Sequence, residues 1–148
     1  MPLDLTVDVG VVMAGSSLGD PAHFQSSLDL LKAIESREGW SLALDSKGRI
    51  RYQYEEKVKQ GFGQAWLRRL ASTGRISMIK WQKLNKGIVT GLKEEHFDTE
   101  DFKYVETAAA TSCRKLVSHD PDYSTAIRAI LRRINLSIIA AADACALE

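Results

Sequence analysis

The sequence predicts a single α/β domain with a mostly parallel central sheet, and three observations support this. Short β-branched runs alternate along the 148 residues with segments whose apolar residues recur at helical spacing. Several of these runs are apolar throughout, which is typical of strands buried on both faces of a parallel sheet. No repeat, linker or low-complexity segment divides the chain, so we expect residues 1–148 to form one domain.

Strands are predicted where apolar runs end at turn residues, and helices where apolar spacing follows a cap. Asp20 before Pro21 and Asp98 before an acidic turn are helix starts, and Gly39 and Gly74 end helices. The predicted elements, in order, are a strand over 5–15, a helix over 20–39, a strand over 40–45, a helix from 49 that continues or resumes to 73, a strand over 75–81, a weak helix over 82–97, a helix over 98–113, a strand over 115–118, a helix over 124–134, a strand over 135–139 and a helix over 140–147.

The composition excludes few functions. The chain is 45% hydrophobic and 26% charged with a net charge of +1, so nucleic-acid binding would have to come from a local patch. Cys113 and Cys145 lie in alanine-rich helical patterns without a CxxC motif, which indicates reduced thiols and no zinc site. Asp4 and Asp8 argue against a signal peptide, and no apolar run approaches the roughly 18 residues of a membrane span. We therefore expect a cytoplasmic protein without a membrane partner.

Four aspartates stand where a parallel sheet gathers its ligands. Asp8 lies within the first predicted strand, Asp101 opens the helix that leads into "KLVS", and Asp120 and Asp122 follow that strand. Ligands of open parallel sheets bind beyond the carboxyl ends of the strands. Carboxylates gathered there would repel one another unless a divalent cation compensates them, and Mg²⁺ and Mn²⁺ prefer oxygen ligands. The pattern therefore favours a metal site that activates water for phosphate hydrolysis.

Each of these residues also has an ordinary structural interpretation. Asp8 is a candidate cap or phosphoacceptor, and Asp101 suits a helix N-terminus because the helix dipole favours negative charge there. Asp120 and Asp122 flank a proline and suit a surface turn. His119 is more consistent with a solvated loop residue than with a base. The four aspartates as a set favour the metal site more than any one of them does.

The order of these motifs resembles the PIN-domain family of nucleases. That family begins with a strand of the form "hhDtNhhh", later has an Asp that opens a helix rich in small residues, and then "LVT-x-D-x-D-F". The corresponding segments here are "LTVDVGVVMAG", "EDFKYVETAAA" and "LVSHDPDY". The resemblance implies a three-layer α/β/α fold and a ribonuclease with Mg²⁺ or Mn²⁺ held by Asp8, Asp101 and Asp120. Asp122 would lie beside them, and Ser118 would supply the hydroxyl of the family's Thr.

The chain departs from the family pattern at two positions. Gly10 stands where many relatives carry Asn. Where the family has a Glu at the start of a middle helix, alignment on its apolar residues places Gln53. Glu55 and Glu56 follow closely but point away from Gln53, because successive helical residues are rotated by about 100°. A shifted helix start would bring one of them into use; otherwise the site has lost one carboxylate.

A basic segment in the middle of the chain gives a second candidate surface. It contains Arg68, Arg69, Arg75 and Lys80, with Trp66 and Trp81 interleaved. One interpretation is a phosphate-tracking face with stacking platforms for single-stranded RNA. The other, which acidic neighbours favour, is a solvated charged face with two partly buried tryptophans.

Three functions therefore stay open from the sequence. The first is a PIN-like ribonuclease acting on RNA, for which the resemblance also suggests an antitoxin-like protein partner or a homo-oligomer. The second is a catalytically degenerate PIN-like binding or scaffold protein, motivated by Gln53. The third, less favoured, is a phosphoaspartyl domain with Asp8 as the acceptor. The phosphatase form of such a domain requires a second Asp two residues after the acceptor Asp8, and Gly10 occupies that position.

Overall fold

The computed structural model of the chain describes residues 2–59 and 61–148 and shows an α/β fold, as predicted. Within these residues five parallel strands form one sheet. The strands are β1 (Leu3–Val7), β2 (Trp40–Asp45), β3 (Ile76–Ile79), β4 (Lys115–Val117) and β5 (Ser137–Ile139). The helices are α1 (Val9–Gly15), α2 (Phe24–Ser36), α3 (Arg49–Lys57), α4 (Phe62–Ser72), α5 (Lys86–Glu94), α6 (Phe102–Ala110), α7 (Thr125–Arg132) and α8 (Ala141–Cys145).

Helices cover the sheet in a three-layer arrangement. Helix α2 packs against α1, α4 and α8, whereas α6 packs across β1, β2 and β4. Apolar side chains of the strands, such as Leu5 and Leu42, are fully buried between these helices. The described helices include none that is long and apolar enough to cross a membrane. Cys113 and Cys145 are free thiols.

The strand order is β3-β2-β1-β4-β5, so the chain reverses its direction of travel across the sheet between β1 and β4. From β1 it moves outward to β2 and β3, and then it returns to the other side of β1 for β4 and β5. Val7 pairs with Val117 at the carboxyl ends of the two central strands. In doubly wound sheets this reversal leaves a crevice beyond the strand ends, where ligands bind.

The predicted strand over 5–15 is wrong in its second half. The strand ends at Val7, and Asp8 then acts as the N-cap of α1, accepting a hydrogen bond from the Gly10 N–H. A short apolar run does not distinguish a buried strand from a buried helix, and the burial of Val11 and Val12 outweighs the modest helix propensity of valine. Asp8 therefore lies at the carboxyl end of the strand rather than inside it.

The strand predicted over 40–45 is present with the same bounds, and the remaining predicted elements are present with shorter bounds. The segment from 49 to 73 forms two helices, α3 and α4. Asp20 and Asp98 are caps as predicted, each accepting a backbone N–H, but each caps a 3-10 turn that precedes the α-helix. The turns are Pro21–His23 and Thr99–Asp101. Asp101 therefore comes immediately before α6 rather than inside a continuous helix.

Tyr54 joins α3 to the end of β1 and gives a test of the fold. Its buried hydroxyl donates a hydrogen bond to the Val7 carbonyl. We expect Tyr54→Phe to lower the free energy of unfolding by about 1–3 kcal/mol, because a buried carbonyl loses its donor. The measurement is urea unfolding followed by circular dichroism. Tyr52→Phe, on the exposed side of the same helix, should change it by less than about 0.5 kcal/mol; equal effects of the two changes would contradict the assignment.

Candidate functional site

An acidic cavity of about 620 Å³ opens at the carboxyl edge of the sheet. Its walls come from the first turn of α1, the segment after β4, helix α3 and the turns that precede α2 and α6. Gln53, His23 and His119 line it together with seven carboxylates, which are Asp8, Asp20, Asp98, Glu100, Asp101, Asp120 and Asp122. The structure thus brings the four aspartates singled out from the sequence to one cavity.

Asp8 is held in a fixed orientation at the floor of the acidic cavity. It is 6% exposed, and its Oδ2 accepts a hydrogen bond of 2.8 Å from Ser118 Oγ. Its Oδ1 accepts from the Gly10 N–H at 3.3 Å, and its own N–H donates to the Val117 carbonyl at 2.9 Å. The pKa of the Asp8 carboxyl is raised, because burial, the largest effect, and the charge of Asp120 together outweigh the lowering by the bonds from Ser118 and Gly10 and by the charge of Lys103. A cation at this position would therefore stabilise the ionised form.

Ser118 connects Asp8 to the turn that carries Asp120 and Asp122. Besides donating to Asp8, its hydroxyl accepts the Asp120 N–H at 3.1 Å. Asp120 Oδ1 in turn accepts the Asp122 N–H at 2.9 Å. The surface turn expected from Asp-Pro-Asp is therefore present, and the same turn forms part of the cavity wall. Asp120 is half-buried, whereas Asp122 lies exposed at the rim.

Asp101 shares the electrostatic field of the other carboxylates. Its pKa is raised to about 7, mainly by burial and in addition by the charges of Asp8, Asp120 and Asp98. Lys103 acts in the opposite direction on both Asp101 and Asp8. The charge of Asp120 thus acts on both Asp8 and Asp101, although positions 8 and 120 are 112 residues apart in the chain.

Lys103, whose charge acts on Asp8 and Asp101 from beside the acidic cavity, is a residue that the sequence did not single out. It is only 8% exposed, its ammonium donates to the Glu100 carbonyl, and the Glu100 carboxylate lies 3.9 Å away. The available signal was a single lysine in the otherwise apolar start of "FKYVETAAA". Its buried positive charge partly offsets the repulsion among the aspartates.

Gln53 is the only one of the three candidate second-acid residues that lines the acidic cavity. Its Oε1 accepts a hydrogen bond from the Tyr104 hydroxyl, which itself accepts the Val9 N–H at 3.2 Å. Glu55 is exposed and pairs with Arg51, and the exposed Glu56 lies near Lys57. Helix α3 therefore has no shift that would bring Glu55 or Glu56 into the cavity, and a neutral amide occupies the expected position.

The donor set suits a hard divalent cation. Tyr123 is 3% exposed, and its hydroxyl finds no hydrogen-bond partner among the described residues. After burial, the charges of Asp8, Asp101, Asp120 and Asp122 raise its pKa, which means that this orphaned donor lies within electrostatic range of all four. The carboxylate oxygens that line the acidic cavity are the ligands that hard divalent cations prefer.

The carboxylates do not form a closed cage. Across residues 2–59 and 61–148, no three His, Cys, Asp or Glu side chains already surround a metal position. Mg²⁺ usually keeps several waters and binds through one or two carboxylates, so its binding does not require such a cage. The carboxylate chemistry therefore fits Mg²⁺ or Mn²⁺ with part of the ion's water shell retained.

His119 is not the solvated loop residue expected from the sequence. It is half-buried and stacks on His23 with ring centroids 4.0 Å apart. Its Nε2 accepts the Ala141 N–H at 3.1 Å, which commits that nitrogen as an acceptor. Burial lowers the pKa of His119, and the neighbouring His23 lowers it further. The ring thus fixes the loop after β4 to the start of α8.

The basic residues proposed from the sequence lie outside the acidic cavity. Arg69 pairs with Glu35 through two contacts of 2.5 and 3.1 Å, and Arg75 Nη1 donates to the backbone carbonyls of Arg37 and Trp40. Arg68 and Lys80 are exposed. Trp66 is fully buried and donates to a backbone carbonyl of α2, so it cannot serve as a stacking platform, and its burial agrees better with the interpretation that the acidic neighbours favour.

Comparisons of the chain with protein-family models, with curated proteins and with solved structures find no match. The assignment to the PIN-domain family therefore stays a prediction that rests on the sequence motifs.

The raised pKa of Asp101 gives a pH-dependent stability. The Asp101 carboxyl has a pKa of about 7 in the folded chain and about 3.9 in the unfolded chain, so the folded chain holds the proton more tightly. The folded chain is therefore more stable when Asp101 is protonated than when it is ionised. This contribution is present below about pH 4 and is lost as the pH rises through about 7. We expect Asp101→Asn to remove much of the loss of stability over this range, as measured by urea unfolding between these pH values. Asp143→Asn, an exposed change on α8, should retain the wild-type profile; a parallel profile for Asp101→Asn would contradict the assignment.

Proposed function

We propose that this chain is a PIN-like ribonuclease that hydrolyses RNA phosphodiester bonds with Mg²⁺ or Mn²⁺ at the acidic cavity. The observation that carries the proposal is the meeting of Asp8, Asp101 and Asp120 at the reversal point of a parallel sheet. Their order along the chain is that of the PIN motifs. A cytoplasmic location and an antitoxin-like or self-association partner belong to the same proposal.

Each of the predicted site residues has a defined part in this chemistry. Asp8, Asp101 and Asp120 would hold the cation, which when bound neutralises phosphate charge and activates a water. Ser118 keeps Asp8 oriented toward the cavity and fixes the backbone of Asp120. Asp122, exposed at the rim, would assist directly or through a water. The proposal needs no nucleophilic side chain and no covalent intermediate.

The alternative of a catalytically degenerate binding protein is favoured by one observation. Gln53 occupies the cavity wall where the family's Glu is expected, and its carbonyl oxygen already accepts a hydrogen bond from Tyr104. An amide binds a cation more weakly than a carboxylate and cannot act as a base. The phosphoaspartyl alternative has less support, because Asp8 is nearly fully buried and both of its oxygens accept hydrogen bonds.

Metal binding tests the proposal directly. We expect calorimetry to show saturable Mn²⁺ binding to the wild type and binding weaker by about 100-fold or more in Asp8→Asn/Asp120→Asn. Affinity should rise with pH up to about 7 and then level off, because the proton held by Asp101 competes with the cation. Asp143→Asn should bind like the wild type.

Hydrolysis of single-stranded RNA is measured with the same variants. Metal-dependent cleavage by the wild type and its loss in Asp8→Asn/Asp120→Asn would support the nuclease. Absence of saturable binding to the wild type at millimolar Mn²⁺ would reject the proposed metal site and leave the binding-protein alternative.

Restoring the expected acid is a separate prediction. We expect Gln53→Glu to tighten Mn²⁺ binding by about 10-fold, since cation affinity increases with the number of charged ligands. The measurement is again calorimetry. Gln64→Glu is the control, because it adds the same charge at an exposed position of α4. An equal gain in both variants would show a general charge effect rather than a site at Gln53.

A further inference from the structure

A second concavity, the side cleft, continues from the acidic cavity along the carboxyl edge of the sheet. Its volume is about 610 Å³, and it lies between the start of α3 and the start of α6. Gln53 and Glu100 line both spaces, so they form the boundary between them. The chemistry proposed for the acidic cavity makes no use of the side cleft. The residues that matter for its chemistry are Lys47, Arg49, Tyr52, Glu56, Glu100 and Lys103.

The side cleft carries an exposed aromatic ring. Tyr52 lines it and is 68% exposed, whereas Ile50 and Tyr54 on the same helix are buried. Near the cleft, Lys47 Nζ lies 4.0 Å from the centroid of the Trp81 ring, which is itself 36% exposed. Exposed aromatic rings beside cations are the elements with which proteins bind unpaired bases and their phosphates.

The sign of the charge changes between the two spaces. Seven carboxylates line the acidic cavity, and no lysine or arginine of the described residues accompanies them on its walls. The side cleft has three cations, Lys47, Arg49 and Lys103, against Glu56 and Glu100. Of the cations, Arg49 is already paired with Asp45 and Glu106, and Lys103 is nearly buried. Lys47 is thus the cation best placed to meet a phosphate outside the acidic cavity.

We propose that the side cleft binds one nucleotide of single-stranded RNA. This nucleotide lies next to the phosphodiester bond that would be hydrolysed at the acidic cavity. Tyr52 stacks on its base, and Lys47 attracts its phosphate. This inference rests on the proposed function, because it concerns the RNA substrate of the same site. A stacking platform needs an unpaired base, so a single strand fits the side cleft and a duplex does not. The face of Arg68, Arg69, Arg75 and Lys80 then has no part in binding the strand.

Binding without cleavage tests the side cleft. The chain with Asp8→Asn/Asp120→Asn keeps the RNA intact and removes two charges that repel it. In this background, with Mg²⁺ present, fluorescence anisotropy follows binding of a fluorescein-labelled RNA of about 12 unpaired nucleotides. We expect Tyr52→Ala to weaken binding by at least about 5-fold. Tyr52→Phe, which keeps the ring, should retain the parent affinity.

Two further variants separate the side cleft from general charge. Lys47→Ala should reduce the slope of log affinity against log salt by about 0.7, the value for one phosphate contact on a single strand. Arg68→Ala removes an exposed cation of α4 and should leave that slope unchanged. If the parent does not bind the RNA, or if Tyr52→Ala binds as the parent does, the side cleft is not the binding site.

A failure of the side-cleft proposal can be distinguished from a failure of the proposed nuclease function. Metal-dependent cleavage by the wild type together with unchanged RNA binding by Tyr52→Ala would retain the nuclease and overturn the side cleft. Tyr52-dependent binding together with absence of cleavage by the wild type would retain the side cleft in a binding protein and reject the nuclease.

Discussion

The carboxylate of Asp8 is the group on which both the fold and the candidate site depend. It ends β1, caps α1 through the Gly10 N–H and ties β1 to the segment after β4 through Ser118. A buried carboxylate is costly unless it is hydrogen-bonded, and here two donors offset that cost. The same hydrogen bonds fix the orientation of the Asp8 side chain. The contact that joins β1 to the segment after β4 therefore also positions the Asp8 carboxylate in the acidic cavity. Loss of Ser118 would therefore affect both together.

The surrounding charges form a balance between stability and binding. Asp8, Asp101 and Asp120 repel one another, while Lys103 and the neutral Gln53 limit the total negative charge. A carboxylate at position 53 would add to the charge near Asp8 and make the metal-free fold less stable. The same carboxylate would strengthen the hold on a cation, which is the usual opposition between stability and function at a site. Gln53 favours the metal-free fold in this balance.

Much of the fold follows from local sequence, and much of the site does not. Asp20 and Asp98 could be recognised as caps because capping depends on adjacent residues. The run after Asp8 was misassigned because a few buried valines fit a strand or a helix equally well. The burial of Lys103, Tyr123 and Trp66 depends on packing between distant segments, which periodicity does not encode. The aspartates could be grouped from the sequence because they lie within a predicted strand, at a helix start and after a strand, whereas the sequence carries no comparable signal for Lys103 beside them.

The sheet order explains why the side cleft and the acidic cavity can lie side by side with few residues in common. Since β1 and β2 are neighbours, the segment after β2, with Lys47 and Tyr52, emerges beside Asp8 after β1. The carboxylates of the acidic cavity are held by β1, β4 and the start of α6, whereas Lys47 and Tyr52 follow β2. Substitutions at Lys47 and Tyr52 can thus change what the edge binds while the hydrogen bonds around Asp8 stay intact. Gln53 and Glu100 are the exceptions, because they line both spaces, and a charge placed at position 53 would act on the proposed cation and the proposed strand alike.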